Sequence, residues 1–367
     1  VPDSPPREAQ TDQCHLFLDQ PFNYSECINA LERSKPTTAP GPDGIDNAMI
    51  KSLSDKCKLL LLDILNDLYQ SHTIPEDWKQ VHVFLIPKHS NNTLRPIRLS
   101  SCLCKLMERL LNHRLLWWVE HNGFLPPFQC GFRKSRSCSD NIGLLITIAD
   151  TGYRTNKYTA AVLLDINSAS DNVQRHILLQ QFYQLRITRN LTRFISNCMQ
   201  ERHVRFIGSS NLEQNHRNYT IHKGLPQGGV LSPLLSNLYI HNIMANVPCD
   251  IKITQYADDI VLIARNNDPD VVKILLTKPV KTIQANLQGI GLELATEKPE
   301  LLCFWNSPRK PANTSIHINN TIIHSKPVYK FLGVHIDNRL NFHVHTEHVI
   351  KQCNKSLNVI RFLRGSW

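Results

Sequence analysis

Apolar positions recur along this chain with two different periods, and these periods predict which segments form helices and which form strands. Spacing at i, i+3 and i+4 predicts helices over residues 23–33, 46–70, 99–120, 174–200 and 271–290. Short apolar runs predict strands over 81–87, 159–166, 251–264 and from 291 onwards. Segments rich in Pro and Gly at 36–44 and 224–229 predict turns, the second leading into a helix from about Ser232. The alternation indicates a mixed α/β or α+β fold.

Three aspartates stand out within this pattern. Asp165 ends the apolar run 159–166, and Asp258 and Asp259 lie between two short predicted strands. Burying neighbouring carboxylates costs several kcal/mol unless cations meet them. Mg²⁺ suits such sites, and two ions about 3.5–4 Å apart serve phosphoryl-transfer chemistry. On these residues alone, a tight hairpin with Ala257, Asp258 and Asp259 at an exposed tip stays open as the alternative.

Size, charge and cysteine usage narrow the class of protein. A chain of 367 residues is long enough for two or three packed subdomains. The net charge of +10 favours a polyanionic partner, either nucleic acid or an acidic membrane surface. The 11 cysteines form no CxxC pair, which favours free thiols in a reducing compartment. No apolar run reaches membrane-spanning length and no signal sequence is visible, so we expect neither a membrane span nor secretion.

The order of several motifs resembles that of reverse transcriptases. The ordered blocks are Ile86-Pro87-Lys88, Leu94-Arg95-Pro96-Ile97, Asp165, Gly224-Leu225-Pro226-Gln227-Gly228-Gly229 and Tyr256-Ala257-Asp258-Asp259. Three further segments resemble those of non-LTR, LINE-type retrotransposon enzymes such as insect Jockey-, I- and R1-like elements. These are Ala39-Pro40-Gly41-Pro42-Asp43-Gly44-Ile45, Gln129-Cys130-Gly131-Phe132-Arg133-Lys134 and the segment from Tyr329 to Asp337. The resemblance extends from about residue 15 to residue 367.

The resemblance implies an α+β, right-hand polymerase fold. Its expected parts are an N-terminal extension (1–35), fingers (36–157), a palm with an antiparallel sheet (158–340) and the start of a thumb (341–367). Helices shared by fingers and palm are expected at about 172–220. The implied activity is RNA-directed DNA polymerisation onto a primer 3′-hydroxyl, used in target-primed reverse transcription.

The resemblance also assigns roles to single residues. Asp165 and Asp258 would bind two Mg²⁺ ions (or Mn²⁺), with Asp259 in support and the Ile166 carbonyl as a further ligand. Lys88 and Arg95 would hold the incoming triphosphate, Gln227 would lie near the templating base pair, and Lys298 would protonate pyrophosphate. Phe331, Leu332 and Gly333 would support the primer. The basic residues Arg133, Lys134 and Arg136 suit phosphate contacts with primer or template.

Three positions depart from the family pattern. Ser170 replaces a bulky aromatic residue that lies under the sugar of the incoming nucleotide, and Ser135 replaces a glycine. Pro299 replaces a threonine and removes a backbone donor in a segment with a strand-like pattern. These departures leave open a degenerate copy that only binds RNA or DNA. A group II intron maturase is a third reading, against which the 40–44 and 131–133 segments argue.

The resemblance also sets the expected partners and location. The partners are an RNA template, a DNA primer or target DNA, and dNTPs. Full elements of the family also carry an endonuclease domain, which is not visible in this sequence. The expected location is the nucleus and a cytoplasmic ribonucleoprotein.

Overall fold

A computed structural model describes residues 16–87, 94–207, 218–295, 299–305, 315–318 and 321–364. Its helices are α1 (Leu16–Asp19), α2 (Tyr24–Glu32), α3 (Asn47–Lys51), α4 (Asp55–Ser71), α5 (Glu76–Lys79), α6 (Cys102–His121), α7 (Cys138–Arg154), α8 (Arg175–Gln184), α9 (Arg189–Cys198), α10 (Ser232–Tyr239), α11 (Pro269–Gly289) and α12 (His343–Arg364). Its strands are β1 (Gln80–Pro87), β2 (Leu94–Leu99), β3 (Tyr158–Leu164), β4 (Arg202–Ile207), β5 (Asn218–Ile221), β6 (Lys252–Tyr256), β7 (Asp259–Asn266), β8 (Glu300–Phe304), β9 (Ser315–Ile318), β10 (Thr321–Lys326), β11 (Val328–Phe331) and β12 (Val334–Asp337). The expectation of a mixed α+β fold is confirmed.

Most of the predicted elements are present, and one helix is divided. The expected helix over 174–200 is two helices, α8 and α9, because Arg186 between them adopts a left-handed φ of 53°. The segment after α9 is strand β4, so the helical region expected at about 172–220 ends at Cys198. Helix α2 begins at a capping box. The Asn23 side chain accepts a hydrogen bond from the backbone amide of Glu26, and the Glu26 carboxylate accepts one from the backbone amide of Asn23.

The chain divides into two compact units, each assembled from two separate stretches. Unit 1 comprises residues 1–125 and 168–240, and unit 2 comprises residues 126–167 and 241–367. This division does not test the expected boundaries of fingers, palm and thumb, which stay predictions.

Unit 1 combines helices with a four-stranded sheet of order β2-β1-β4-β5. Strand β1 pairs antiparallel with β2 and parallel with β4. Helix α6 carries much of the core, with Leu106, Leu110 and Leu115 almost fully buried. Its Arg114 is also buried and donates from Nε and Nη2 to the two carboxylate oxygens of Glu26 on α2, at 2.7 Å each. This ion pair ties α6 to α2 inside the unit.

Unit 2 is organised around a six-stranded sheet of order β6-β7-β3-β8-β10-β9. The pairs are antiparallel except for β8 with β10, which are parallel, so the expected antiparallel sheet is mixed at this point. Every residue of β3 is buried, as its continuous apolar run predicts for a central strand. A core cluster on one face joins this sheet to α7 and to the β11–β12 hairpin through Leu145, Leu163, Val261, Phe331 and Ile336.

In the part of the chain that the structure describes, no helix has the length and apolar character needed to cross a membrane.

Candidate active site

The acidic hairpin, formed by β6, β7 and the turn between them, presents two of the three aspartates. Tyr256 pairs with Asp259, which leaves Ala257 and Asp258 as a two-residue turn. Ala257 has a φ of 55°, a left-handed conformation that costs a non-glycine residue about 1–2 kcal/mol. Asp258 is half-buried and Asp259 is exposed. The expected strands are confirmed, whereas the expected burial of both carboxylates is wrong, because the tight turn carries them to the sheet margin.

The register of β3 against β7 brings Asp165 to the same place. The last pair of the ladder is Leu164 with Ile260, so one further step along both strands sets Asp165 opposite Asp259. Directly opposite residues of an antiparallel pair have Cβ atoms about 4.5–5.5 Å apart. Both aspartates are in phase with core residues of their strands, Leu163 and Val261, and therefore share one face of the sheet.

A small pocket lies beside these two carboxylates. It has a volume of about 60 Å³ and is lined by Leu163, Leu164, Asp165, Asp259, Ile260, Tyr329 and Phe331. Burial, followed by the negative charges of Glu300, Asp259 and Asp165, raises the pKa of Tyr329 to about 12. The Tyr329 hydroxyl therefore stays protonated at neutral pH and is a hydrogen-bond donor beside the acidic face.

A segment around Gln129 packs directly against the acidic hairpin. The Gln129 side chain accepts a hydrogen bond from the backbone amide of Ala257 at 2.8 Å. It donates one to the carbonyl of the same residue at 3.1 Å. Backbone bonds run from Cys130 N to Gln255 O and from Gln255 N to Phe128 O. At Gly131 a Cβ would lie 2.3 Å from the Ala257 nitrogen, so only glycine allows this approach.

In unit 1 the turn 224–229 lies against the residues that follow Ser168. The amide of Leu225 donates to the Ser170 carbonyl at 2.8 Å, and Gly224 (φ 76°) leaves no room for a Cβ beside the Asp171 carbonyl. The Gln227 amide donates to both oxygens of Asp171 at 2.8 and 2.9 Å. Asp171 therefore fixes the orientation of Gln227, and the place of Gln227 near the templating base pair stays a prediction.

The predicted cationic residues differ in what the structure describes. Lys88 and Lys298 lie outside the described residues. The backbone of Arg95 is in β2 opposite Ile86, and its side chain is not among the described groups. Arg133 donates to the carbonyls of Pro126 and Gln129 at 2.8 and 3.0 Å, so it braces its own segment. Lys134 and Arg136 are exposed, as phosphate contacts require, and that role stays a prediction.

The predicted primer segment forms the turn of the β11–β12 hairpin. Phe331 pairs with Val334, and the two turn residues Leu332 and Gly333 have φ values of 45° and 91°. Phe331 is buried in the core of unit 2 and also lines the small pocket beside Asp165. It is therefore a core residue, and its contact with a primer stays a prediction.

Two of the departures from the family pattern have a structural context. Ser135 has a φ of 59°, in the region that favours glycine, which explains why the family carries glycine there. Pro299 precedes β8 and lies outside it, so the expectation that it removes a donor within a strand is wrong. Proline is tolerated at the start of a strand.

The carboxylates do not form a preassembled metal site. Within the described ranges, no group of three or more His, Cys, Asp or Glu side chains is arranged to hold a metal ion. Ile166, the predicted carbonyl ligand, pairs with Leu294 in an isolated antiparallel bridge that extends the sheet edge next to Asp165.

Sequence comparison identifies the class of protein to which this fold and acidic face belong. The chain belongs to the reverse transcriptase (RNA-dependent DNA polymerase) family, whose model matches residues 86–336. The predicted resemblance to non-LTR retrotransposon enzymes is thereby confirmed at the level of the family and its relatives.

Individual relatives are retrotransposon enzymes of flies. The probable RNA-directed DNA polymerase from transposon BS of Drosophila melanogaster is 26% identical over 94% of this chain and 39% of its own length. The RNA-directed DNA polymerase from mobile element jockey is 26% identical in the same species, over 93% of this chain and 39% of its own length. The counterpart from Drosophila funebris is 28% identical over 89% of this chain and 36% of its own length. The chain thus spans about two fifths of the length of these relatives.

Sequence reasoning missed three residues that shape the candidate site. Tyr329 and Gln129 were noted only as parts of family motifs, and Asp171 was not noted at all. In the sequence, Gln129 is a polar residue between the apolar residues Phe128 and Cys130, which is a signal of a buried amide. In the structure its exposed fraction is only 2%. Its partner Ala257 is 128 residues away, so no local pattern could reveal the contact.

Proposed function

We propose that this chain is the polymerase part of a non-LTR retrotransposon protein and catalyses RNA-directed DNA synthesis. The observation that carries the proposal is the register that sets Asp165 opposite Asp259, next to the turn residue Asp258. Membership of the reverse transcriptase family supports the same reaction class.

The acidic face fits divalent cations chemically. Asp165, Asp258 and Asp259, with the carbonyl of Ile166, would hold two Mg²⁺ ions, and Mn²⁺ suits the same oxygen ligands. Like charges facing each other across two strands repel, and a cation removes that cost. When bound, the ions would supply activation of the primer 3′-hydroxyl and stabilisation of the leaving pyrophosphate.

The remaining roles are those of the chain's own residues. Tyr329 lines the pocket with Asp165 and Asp259, where its hydroxyl stays protonated and adds no negative charge. Lys88 and Arg95 would bind the triphosphate of the incoming nucleotide through charge-assisted hydrogen bonds. Gln227, oriented by Asp171, would contact the templating base pair, and Lys298 would donate a proton to pyrophosphate.

The proposal extends to layout, partners and location. Fingers (36–157), palm (158–340) and the start of a thumb (341–367) would surround an RNA template paired with a DNA primer. Exposed Lys134 and Arg136 would contact backbone phosphates. Target-primed synthesis would need an endonuclease, and the length of the relatives leaves room for further domains in the whole protein. Such synthesis takes place on chromosomal DNA, so the nucleus is the proposed location of the reaction. A cytoplasmic ribonucleoprotein is the second proposed location.

Primer extension tests the proposal. The purified chain receives an RNA template, an annealed DNA primer, dNTPs and Mg²⁺, and we expect elongated DNA that Asp258→Asn abolishes. The matched control is Asp250→Asn, which removes an exposed carboxylate just before β6 and should retain activity. Absence of extension by folded protein that binds the primer–template would contradict the proposal.

A further inference from the structure

The turn that carries Asp258 has a backbone conformation that its own sequence does not favour. Ala257 is left-handed (φ 55°), and alanine has neither the freedom of glycine nor the local hydrogen bonds of asparagine there. A residue persists in such a conformation only when its surroundings determine it. The structure must therefore supply the restraint from outside the two-residue turn.

Two buried side-chain amides supply the restraint, and Gln129 contacts both polar groups of Ala257. Gln129 Oε1 accepts two backbone amides at 2.8 Å, those of Ala257 and Gly131, while its Nε2 donates to the Ala257 carbonyl. Gln255 Nε2 donates to the same carbonyl at 2.9 Å. Both polar groups of Ala257 are thus fixed, and Asp258 is the next residue along the chain.

The Gln129 side chain is itself held in place. Residues 128–130 run beside β6 through the two backbone bonds with Gln255, and Arg133 donates to the Gln129 carbonyl at 3.0 Å. Because Gly131 has no side chain, this segment reaches van der Waals contact with the Ala257 backbone. The amide therefore acts from a rigid support, which positioning requires.

From this geometry we infer that Gln129 is the positioning residue of the acidic hairpin, setting where Asp258 stands relative to Asp165 and Asp259. The inference rests on the proposed polymerase function, because it takes Asp258 as a metal ligand and assigns to Gln129 an effect on metal binding through the Ala257 backbone. Groups that orient metal ligands typically change metal affinity about 10- to 100-fold when they are removed.

The first test measures metal affinity without any turnover. Binding of Mn²⁺ alone is followed by the electron paramagnetic resonance of the free ion, with Asp258→Asn identifying the site. We expect Gln129→Met to weaken this binding about 10- to 100-fold. The matched control is Gln181→Met, which removes another buried glutamine amide bonded to a backbone carbonyl, that of Tyr239 at 2.8 Å. It should leave Mn²⁺ binding unchanged.

The second test separates positioning from folding. In primer extension, Gln129→Met should lower kcat about a hundredfold at fixed Mg²⁺ and recover in part at higher Mg²⁺ or with Mn²⁺. Affinity for the primer–template should stay the same. Gln255→Met is a milder variant, to be used if Gln129→Met does not fold. It removes one of the two donors to the Ala257 carbonyl, which keeps its hydrogen bond from Gln129. It should weaken Mn²⁺ binding several-fold.

The outcomes distinguish the inference from the function on which it rests. The positioning role would be overturned if the unchanged chain, Gln129→Met and Gln255→Met all bound Mn²⁺ equally tightly at the Asp258-dependent site. The proposed polymerase function would not be affected by that result. An unchanged chain with neither extension nor Asp258-dependent Mn²⁺ binding would overturn both. Equal weakening in Gln181→Met would assign the effect to general destabilisation and would also overturn the inference.

Discussion

At the scale of single residues, Ser170 is the departure from the family pattern that we predict to change nucleotide selection. Ser170 is half-buried, and its backbone is fixed by the hydrogen bond from Leu225. Its place in the chain is therefore set by backbone contacts, while its side chain is much smaller than the aromatic ring usual in the family. The expected consequence is a gap under the sugar of the incoming nucleotide.

We predict that the unchanged chain discriminates weakly between dGTP and GTP, and that Ser170→Phe restores rejection of GTP by about 10- to 100-fold. A ring at this position would clash with a 2′-hydroxyl, which serine does not reach. Single-nucleotide incorporation measures the ratio of kcat/KM for the two substrates, with Ser170→Ala as the variant that adds no ring. Strong rejection of GTP by the unchanged chain would contradict the prediction.

A second residue-scale prediction concerns backbone strain at Ser135. Its φ of 59° is unfavourable for serine, so Ser135→Gly should raise the free energy of unfolding by about 1 kcal/mol. Thermal unfolding measures the change. Ser139→Gly is the control, because Ser139 is exposed on helix α7, where glycine should destabilise by about 0.5 kcal/mol instead. A loss of stability in both variants would refute the strain argument.

At the scale of elements, one buried ion pair joins two helices of unit 1. Arg114 on α6 is 3% exposed, and it also donates to the carbonyls of Phe17, Gln20 and Pro21. Burial opposes ionisation of Glu26, but the hydrogen bonds and charge of Arg114 outweigh it and lower the pKa of Glu26. The pair therefore fixes the N-terminal helices against α6.

Arg114→Met should destabilise the chain by about 3 kcal/mol, because it leaves a largely buried carboxylate without its partner. The control is Arg154→Met, which breaks an exposed pair with Asp150 and should cost less than about 1 kcal/mol. Chemical denaturation measures both. The pKa of Glu26 is lowered in the folded state. The pair therefore contributes fully to stability at pH values above the ordinary glutamate pKa of 4.5, and this contribution is lost as the pH falls through the folded-state pKa. The difference between Arg114→Met and the unchanged chain should therefore shrink in acid.

Elements with strong local patterns could be predicted from the sequence. Strand β3 is a continuous apolar run, and the acidic hairpin contains the apolar run Ile260-Val261-Leu262-Ile263 of β7, so both were correctly predicted. The break between α8 and α9 was missed, because Arg186 carries no glycine or proline signal for a left-handed turn. Pairings between distant segments, such as β1 with β4 and Gln129 with Ala257, depend on tertiary packing and leave no local trace.

At the scale of the whole molecule, the excess of basic residues should govern nucleic-acid affinity. With a net charge of +10, log K for primer–template binding should fall linearly with log salt concentration, because bound counterions are released from the phosphates.

Lys134→Ala should reduce the magnitude of that slope by about one. Lys56→Ala, which removes an exposed lysine on helix α4, should leave the slope unchanged. Fluorescence anisotropy over a range of salt concentrations measures both slopes. Salt-independent binding, or an equal loss in both variants, would contradict the prediction.

The interleaved path of the chain has a consequence for how this protein is made. Unit 1 is completed only by residues 168–240, and unit 2, which holds all three aspartates, is completed only by residues after 240. During synthesis, Asp165 leaves the ribosome long before the acidic hairpin to which it pairs. A nascent chain interrupted at any point before β7 thus lacks part of the acidic face, and neither unit can be separated from the other by a single cut. A translation product that ends before β7 is therefore expected to be unable to copy nucleic acid.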